Sequence, residues 1–478
     1  MTETDYLVKG AGASAMAFVD VMLRESDATF TIVDMRHAPG GHWNDAYSFV
    51  RLHQPSAYYG VSSRQLGREL KDETGFNKGL YELASGVEVT NYFHQVMRDD
   101  FLPSGRVNYY PMSEVVGEGE IVSLLSGERR RITVKRKLVD ATILQTSVPL
   151  THTRGFTTAE GVVCIPPNDL TRLAVNYRRF TVLGAGKTGI DSVLWLLSNG
   201  VAPEAISWVV PRDPWMLNRA NTQPGQEFFG QMVGGMATQY EIAATASSIR
   251  ELCERMEAAG RWLRLDCDLW PTMFHAAIVS LAELDQLRRI RNVIRMGRVQ
   301  RINPDCIVLD GGDSLSDSST LYIDCTARAL AHNVGNQTPV FSPGRIALQM
   351  IRQFQPTFSA ALIGHLEAGV ADEAVKRKLT NPVPMTDTVE DWVKGQVASL
   401  SNQFGWSSDD KTKAWLARCR LDAFRATTMQ VPEADAEKQD ILQRLRANAL
   451  PALQNLQRLA QEPIGKADGG RGLAHSPL

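Results

Sequence analysis

The sequence predicts a mixed α/β fold with two parallel-stranded units and a helical C-terminal region. An apolar run, a glycine-rich turn, an amphipathic helical pattern and a second apolar run follow one another near the N-terminus, and the same order recurs from Phe180. Each block has the length of a βαβ unit, which connects neighbouring parallel strands. Beyond Pro384 the apolar residues return to helical spacing.

The composition is that of an ordinary globular protein of two or three domains. Of 478 residues, 44% are hydrophobic and 22% charged, and the formal net charge is -2. This balance gives no reason to expect nucleic acid or an anionic membrane as a partner. No stretch approaches the roughly 20 apolar residues of a membrane helix, and the start of the chain is acidic, so we expect neither a membrane span nor a secretory signal.

Six scattered cysteines limit the chemistry that the chain can perform. They form no C-x-x-C pair, so we expect neither a zinc site nor a redox-active dithiol, and a reducing, cytoplasmic location fits best. Cys325 is predicted to be a small buried residue, because no activating base is evident. The cysteines are Cys164, Cys253, Cys267, Cys306, Cys325 and Cys419.

The first glycine turn has the G-x-G-x-x-G/A pattern between a strand and a helix. In this pattern the first glycine allows the tight turn, the second lets a diphosphate approach, and the small third residue lets helix and strand pack. Asp34 ends the next strand, where an acid can accept hydrogen bonds from ribose hydroxyls. The pattern therefore predicts a dinucleotide-binding turn, and a turn with a purely structural role is the alternative. The predicted contacts are Gly10, Gly12, Ala13, Ser14, Ala15, Asp34, Met35 and Arg36.

The second glycine turn is the stronger fingerprint of a dinucleotide site. Its three glycines again lie between a strand and a helix. A P-loop is excluded, because that motif needs a glycine where the chain has Thr181. The predicted contacts are Gly184, Gly186, Lys187, Thr188 and Gly189.

The strand after the second turn indicates which nucleotide binds there. A site for NADH places an acid at the end of this strand, but the chain continues Val209-Val210-Pro211-Arg212. A guanidinium suits the 2′-phosphate of NADPH. Alternatively, Arg212 pairs with Asp213 on the surface. The site would then bind NADH or no nicotinamide nucleotide.

A third motif follows Asp34 and suggests a family. The run Gly40-Gly41-His42-Trp43, followed by the polar and aromatic loop from Leu52 to Gly60, resembles the flavin-containing monooxygenases and their Baeyer-Villiger relatives. The resemblance covers about residues 1–370. It implies that the first turn binds FAD and that the loop after Gly-Gly-x-Trp approaches the flavin. The alternative is that this loop is a surface turn with an aromatic plug. Its implied contacts are Gly41, His42, Trp43, His53 and Ser56, with His53 and Gln54 as catalytic candidates.

The resemblance also implies that an NADPH domain is inserted into the FAD domain. The strand Leu321–Asp324 would then return to the first domain and bring Thr326 and Ala327 near the FAD.

We expect a mostly helical stretch from Gly225 to Arg295. The predicted ranges are 1–175 for the first part of the FAD domain, 176–310 for the NADPH domain, 311–375 for the second FAD part, 376–464 for C-terminal helices and 465–478 for a disordered tail.

Three isolated features have simple interpretations. His275 is predicted to be a hydrogen-bonded core histidine, and His365 is a candidate to reach the flavin. The leucines between 439 and 461 predict a helix that either packs within the chain or forms a homo-oligomer.

The leading functional hypothesis is an NADPH-dependent flavin monooxygenase that transfers one oxygen of O₂ to a small organic substrate. An FAD-dependent reductase, dehydrogenase or oxidase is the alternative. It is supported because Pro149–Leu170 lacks the histidine signature that the resembled family has there. A dinucleotide-sensing scaffold without turnover is the third hypothesis.

Overall fold

The computed structural model describes residues 2–144, 146–328 and 338–462; the predicted tail at 465–478 lies outside them. The N-terminal part alternates strands and helices as the sequence predicts. Its elements are β1 (Thr2–Lys9), α1 (Ala13–Glu25), β2 (Phe30–Val33), α2 (Gly86–Gln95), β3 (Val107–Tyr110), β4 (Ser113–Gly117), β5 (Glu120–Ser123) and β6 (Arg129–Asp140).

The middle part begins with two short strands and contains the second glycine turn. Its elements are β7 (Thr157–Thr158), β8 (Cys164–Ile165), α3 (Pro167–Leu173), β9 (Arg179–Leu183), α4 (Lys187–Ser198), β10 (Ile206–Val209), β11 (Pro214–Asn218), α5 (Gly235–Thr245), α6 (Ile249–Ala258), β12 (Trp262–Leu263), β13 (Met273–Val279), α7 (Leu281–Leu287), β14 (Asn292–Ile294), β15 (Val299–Ile302), β16 (Cys306–Leu309), β17 (Gly312–Leu315) and β18 (Thr320–Asp324).

The C-terminal part adds one strand pair and then only helices. Its elements are β19 (Phe341–Ser342), β20 (Arg345–Ala347), α8 (Pro356–Gly369), α9 (Glu373–Lys378), α10 (Val389–Ser407), α11 (Asp410–Arg418), α12 (Ala423–Met429) and α13 (Ala436–Leu459).

Two mainly parallel sheets form the framework, which confirms the predicted fold class; the pairs β19–β20, β4–β5 and β5–β6 at the margins of the first sheet are antiparallel. The first has the order β19-β20-β6-β1-β2-β3, with the β4–β5 hairpin joined to β6, and the second has the order β14-β10-β9-β18-β8. Helix α1 packs against α8 beside the first sheet, while α4 packs against α7 beside the second. Every strand of the second sheet lies in the chain between β6 and β20, so the second unit is inserted into the first.

The prediction that Leu321–Asp324 returns to the first domain is wrong. This segment is part of β18, which pairs in parallel with β9 and β8 of the second sheet. The returning strand is β20, which pairs with β6. Both candidates are short buried runs, and only their hydrogen-bonding partners distinguish them.

The expected helical stretch from Gly225 to Arg295 is also only partly helical. It contains α5, α6 and α7, but β13 runs through its middle and pairs in parallel with β11. His275 therefore lies on a strand instead of a helix, and its side chain is 36% exposed. The prediction of a core histidine is wrong in this respect.

Helix α13 packs within the chain. It lies against α5 and α10, and its leucines 442, 445, 453, 456 and 459 are buried there. These side chains are therefore already covered without a second copy. Across the described residues, no helix is long and apolar enough to cross a membrane, and no group of three or more histidine, cysteine or acidic side chains could hold a metal ion.

Candidate functional site

Both glycine turns lie where the strand order of their sheet reverses. In the first sheet β2 lies on one side of β1 and β6 on the other, and in the second sheet β10 and β18 flank β9 in the same way. Loops that leave the carboxyl ends of parallel strands in opposite directions open a crevice at this point, which is where open α/β sheets bind ligands. Gly10 follows β1 and Gly184 follows β9, so each turn lies at one crevice.

The first turn has the geometry that a diphosphate site needs. Gly10 has φ +97°, and a Cβ there would lie 3.3 Å from the Thr142 side chain. Gly12 precedes α1, and within the described chain no side chain caps this helix. A Cβ at Gly12 would meet only Gly41, at 3.7 Å. The first amides of α1 are therefore left for an anion, as the helix dipole favours.

Asp34 lies beside this turn as predicted. Its carboxylate accepts the Ala11 N–H at 2.5 Å and the Arg36 N–H at 2.7 Å. Two carboxylate oxygens offer about four acceptor positions, so capacity for ribose hydroxyls remains. The neighbouring Tyr109 hydroxyl is buried and has no partner in the described part of the chain. Burial and Asp34 raise its pKa, so it stays a protonated donor.

The Gly-Gly-x-Trp loop packs directly on the first turn. The Gly40 N–H donates to the Ala11 carbonyl at 2.9 Å, and a Cβ at Gly41 would lie 2.9 Å from the Gly12 Cα. The loop is then fixed by Trp43, whose indole N–H donates to the Tyr59 hydroxyl at 2.7 Å. The first turn, Asp34 and this loop therefore form one cradle, and these residues fit an FAD diphosphate and ribose.

The predicted contacts that flank this cradle lie in different surroundings. The His42 ring stacks on Trp43, and burial together with Arg36 lowers its pKa to about 4. Arg36 pairs with Asp45 at 2.6 Å, whereas the Met35 side chain is 55% exposed.

Ser56, a predicted flavin contact, has its hydroxyl engaged by the backbone of the protein. Its buried hydroxyl donates to the Glu82 carbonyl at 3.0 Å and accepts the Ala84 N–H at 2.8 Å. The serine thus satisfies backbone groups of a neighbouring segment, which local sequence does not reveal.

The structure brings His53 close to Lys187 of the second turn and to Arg219. Burial lowers the pKa of its ring, and the positive charges of Lys187 and Arg219 lower it further, so the ring is neutral at pH 7. The Gln54 side chain is half-buried. Both side chains therefore keep donor and acceptor atoms for a ligand.

The three glycines of the second turn have three separate roles. Gly184 has φ +115°, and a Cβ there would lie 2.7 Å from the Cys325 carbonyl oxygen. A Cβ at Gly189 would overlap the Gly184 carbonyl, whereas one at Gly186 would meet nothing within 4 Å. In the described chain no side chain caps α4. A tight turn, an open approach and close helix packing are what a dinucleotide turn requires, so these residues fit a nicotinamide nucleotide.

Thr326 lies at this second turn, so its predicted position near the FAD is wrong. Its N–H and hydroxyl donate to Asp324 Oδ1 at 3.0 and 2.6 Å. The same arrangement occurs at the first turn, where Thr142 donates to Asp140 Oδ1 at 2.9 and 2.7 Å. Ala327 is the next residue in the chain and therefore also lies at the second site.

The two turns are joined by a tyrosine that the sequence interpretation missed. The Tyr47 hydroxyl donates to Asp191 Oδ2 at 2.7 Å, and the other oxygen of Asp191 binds Lys187 in the first turn of α4. Burial and Asp191 raise the pKa of Tyr47 well above its usual range. Lys187 is therefore already paired. A tyrosine in the loop between Trp43 and His53 was the available signal.

Arg219 is a second missed residue at this junction. Its side chain is fully buried and pairs with Glu283 at 2.6 Å. It also donates to the His53 carbonyl at 3.1 Å and to Asn77 at 3.1 Å. It thus connects the loop of the first domain to the second domain. Its partners are far apart in the chain, so no local pattern predicts it.

Arg212 is held by a partner that the sequence did not suggest. Asp387 binds it bidentately at 2.6 and 2.9 Å and also contacts the His275 ring at 2.8 Å. Arg212 is the main cause of the depressed pKa of Asp387. The alternative pairing of Arg212 with Asp213 is wrong, because Asp213 binds Arg295 at 2.9 Å.

His365 does not lie at the first turn. Its ring stacks on Trp415 and its Nδ1 lies 2.5 Å from the Glu25 carboxylate. Glu25 is the last residue of α1, whose first residue follows the glycine turn. Because α1 separates the two, the prediction that His365 reaches the flavin is wrong.

The cysteines nearest the second turn, Cys164 and Cys325, are placed where thiolate chemistry is disfavoured. All six are free. Burial raises the pKa of Cys164 to about 12 and that of Cys325 further. Thiol exchange needs the thiolate, so these two side chains are not suited to it.

The comparison with known proteins establishes the family. No family model matches the chain. The uncharacterized protein Rv2000 of Mycobacterium tuberculosis strain H37Rv and the uncharacterized protein Mb2023 of Mycobacterium bovis are each 46% identical to it over 420 residues, which cover 88% of this chain and 78% of each relative. The chain belongs to their family.

Several solved structures resemble the chain at low identity. A polycyclic ketone monooxygenase from Thermothelomyces thermophila has a TM-score of 0.48 at 12% identity, covering 94% of this chain and 88% of that one. A flavin-containing monooxygenase from Stenotrophomonas maltophilia has 0.43 at 14%, covering 87% and 99%. A bacillithiol disulfide reductase from Staphylococcus aureus has 0.45 at 8%, covering 78% and 100%.

Proposed function

We propose that the chain is an FAD-dependent oxidoreductase that is reduced by NADPH. One observation carries the proposal: the Gly-Gly-x-Trp loop packs on the first glycine turn, and the chain that follows it reaches α4 at the second turn, where Tyr47 donates to Asp191 at 2.7 Å. Two dinucleotide sites in contact are what electron transfer between a nicotinamide and a flavin requires, because hydride passes only between rings that touch.

The first cradle accounts for FAD binding. The amides at the start of α1 would face the diphosphate, and Asp34 would accept the ribose hydroxyls. Bound FAD would supply two-electron redox chemistry. The Gly-Gly-x-Trp loop would cover the cofactor and exclude water from it, because its Trp43 indole is held in place by Tyr59.

The second turn would hold NADPH. The Gly10 N–H donates to the Val33 carbonyl, and the Gly184 N–H donates to the Val209 carbonyl in the same way. Val210, the next residue after β10, therefore has the position that Asp34 has after β2. Because this residue is a valine, the second site has no acid at this position that would bind a free ribose hydroxyl. Arg212, two residues on, would bind the 2′-phosphate in place of Asp387.

His53 and Gln54 would orient the reacting rings. Because the His53 ring is neutral, it can donate one hydrogen bond and accept another without adding a charge. The Gln54 amide can do the same at any pH. The two side chains therefore position the rings, and we assign neither of them a proton transfer.

The finer proposal is a monooxygenase that transfers one oxygen of O₂ to a small organic substrate in the cytoplasm. The raised pKa values of Cys164 and Cys325 support it over a thiol-disulfide reductase. A dehydrogenase or oxidase stays as the alternative, because His152, the histidine of the Pro149–Leu170 segment, is bound to Asp324 at 2.9 Å.

Labelled oxygen separates these activities. Purified protein is incubated with NADPH and ¹⁸O₂ together with sulfide, amine and ketone substrates, and in parallel under nitrogen with ferricyanide. Labelled product supports the monooxygenase. NADPH oxidation by ferricyanide without labelled product supports the alternative. Cofactor binding without NADPH oxidation in either arm contradicts the enzymatic proposal and supports a dinucleotide-sensing scaffold.

A further inference from the structure

An open depression of about 350 Å³ lies away from both glycine turns. It is bordered by α5 with the π-helical turn that precedes it, by α13, and by the segment before β12. Its volume is at the lower end of the range for small-molecule sites. The lining residues are Asn221, Gly230, Gln231, Gly234, Gly235, Thr238, Ala259, Arg261, Ile441 and Arg444.

Arg261 is the positive charge of this depression that lacks a carboxylate. Its guanidinium donates to the Gln231 carbonyl at 3.4 Å and to the Gln239 amide oxygen at 3.3 Å, both long contacts. Burial alone lowers its pKa to about 10, since no acidic side chain of the described residues offsets the loss of water. A guanidinium has five N–H donors, so most of its capacity is unused.

The neighbouring arginine on the same rim shows the contrast. Arg444 forms a bidentate pair with Glu241 at 2.7 and 2.8 Å, so its charge is already balanced. The depression therefore carries one unbalanced positive charge, at Arg261. Removing a charge from water is costly unless the charge is paired, so binding an anion from solution would offset the partial burial of this guanidinium.

The glycines make room for both the guanidinium and a ligand. A Cβ at Gly235 would overlap Arg261 Nη1, so only glycine leaves the side chain in this position. A Cβ at Gly230 would meet nothing within 4 Å, which leaves open space in front of the π-helical turn. Irregular helix turns of this kind are frequent at functional sites.

We propose that this depression binds a small organic anion whose carboxylate or phosphate group pairs with Arg261. The planar guanidinium binds either oxyanion through two parallel hydrogen bonds. Asn221 and Thr238 supply further polar groups at the wall, and Ile441 supplies an apolar surface for the uncharged part of the ligand. The site does not depend on the proposed redox function, because its evidence is the unbalanced charge and the open volume.

Titration calorimetry of the full chain tests the site. Inorganic phosphate and succinate are the two probes, each at constant ionic strength set with sodium chloride. We expect saturable binding of at least one probe, weakened about tenfold or more in Arg261→Gln, since this variant loses the charge-assisted hydrogen bonds to the anion. Arg446→Gln, which removes an exposed charge from the same helix as Arg444, should bind like the wild type.

A second variant keeps the test valid if Arg261→Gln unfolds. Gly230→Leu places a side chain in the open part of the depression without removing a charge, and it should weaken the same probe. Binding of phosphate alone identifies a phosphorylated ligand, and binding of succinate alone a carboxylate. The proposal is overturned if neither probe binds saturably, or if both variants bind as the wild type does.

Discussion

Asp140 and Asp324 occupy the same position in the two sheets. Each is the last residue of the strand beside the glycine turn, and each accepts the N–H and the hydroxyl of the threonine two residues further on. The second oxygen of Asp140 pairs with Arg345 at 2.6 Å, and that of Asp324 contacts Arg154 at 3.2 Å. The two units therefore share the turn, the helix and the support beneath the turn.

Loss of either aspartate should affect only the cofactor of its own sheet. Asp140→Ala releases the Thr142 turn that packs against Gly10, and we expect the purified protein to retain several-fold less flavin. Asp324→Ala should leave flavin content unchanged and raise the KM for NADPH several-fold. Flavin content and KM are measured on the same preparations. An equal loss of flavin in both variants would contradict the separation of the two sites.

The two Asp-x-Thr segments also show what sequence can and cannot predict. Both are recognisable as strand ends, because an apolar run followed by an acid is a local pattern. Which sheet Asp324 joins depends on hydrogen bonds to β9, far away in the chain. The glycine turns, Asp34 and the Gly-Gly-x-Trp loop were predictable because their chemistry is local. Arg219 was not, because all of its partners are distant.

The second and third glycines of the nicotinamide turn should respond differently to substitution. Gly186→Val points into open space, so we expect an unchanged Tm and a strongly raised KM for NADPH. Gly189→Ala overlaps the Gly184 carbonyl, so the Tm should fall as well. Both variants should retain flavin. A wild-type KM in Gly186→Val would contradict nucleotide binding at this turn.

The pair of Arg212 and Asp387 should control the preference for NADPH. Arg212→Ala is expected to raise the KM for NADPH about tenfold or more, with little change for NADH, since one charged hydrogen-bonding partner is lost. Asp387→Asn leaves Arg212 unpaired and should lower the KM for NADPH. Arg298→Ala, the loss of an exposed arginine after β14, is the matched control. Equal changes for both nucleotides would remove the role in 2′-phosphate binding.

The partly buried His42 ring should make the protein sensitive to acid. Its pKa is about 4 when folded, below the value near 6.5 of an exposed histidine, so protons bind the unfolded chain more readily. Its contribution to stability is complete above about pH 6.5 and is lost as the pH falls towards 4. His42→Gln should show a shallower fall of Tm between these values. His94→Gln, on the exposed face of α2, should follow the wild type.

The visible spectrum of the purified chain tests the central claim most directly. The wild type should carry the absorbance of oxidised flavin, lose it when NADPH is added under nitrogen, and regain it when air is admitted. Gly12→Val, which fills the space between the start of α1 and Gly41, should be colourless, whereas Gly117→Val on an exposed strand end should be yellow. A wild-type protein without flavin absorbance, or a yellow Gly12→Val, would contradict FAD binding at the first turn.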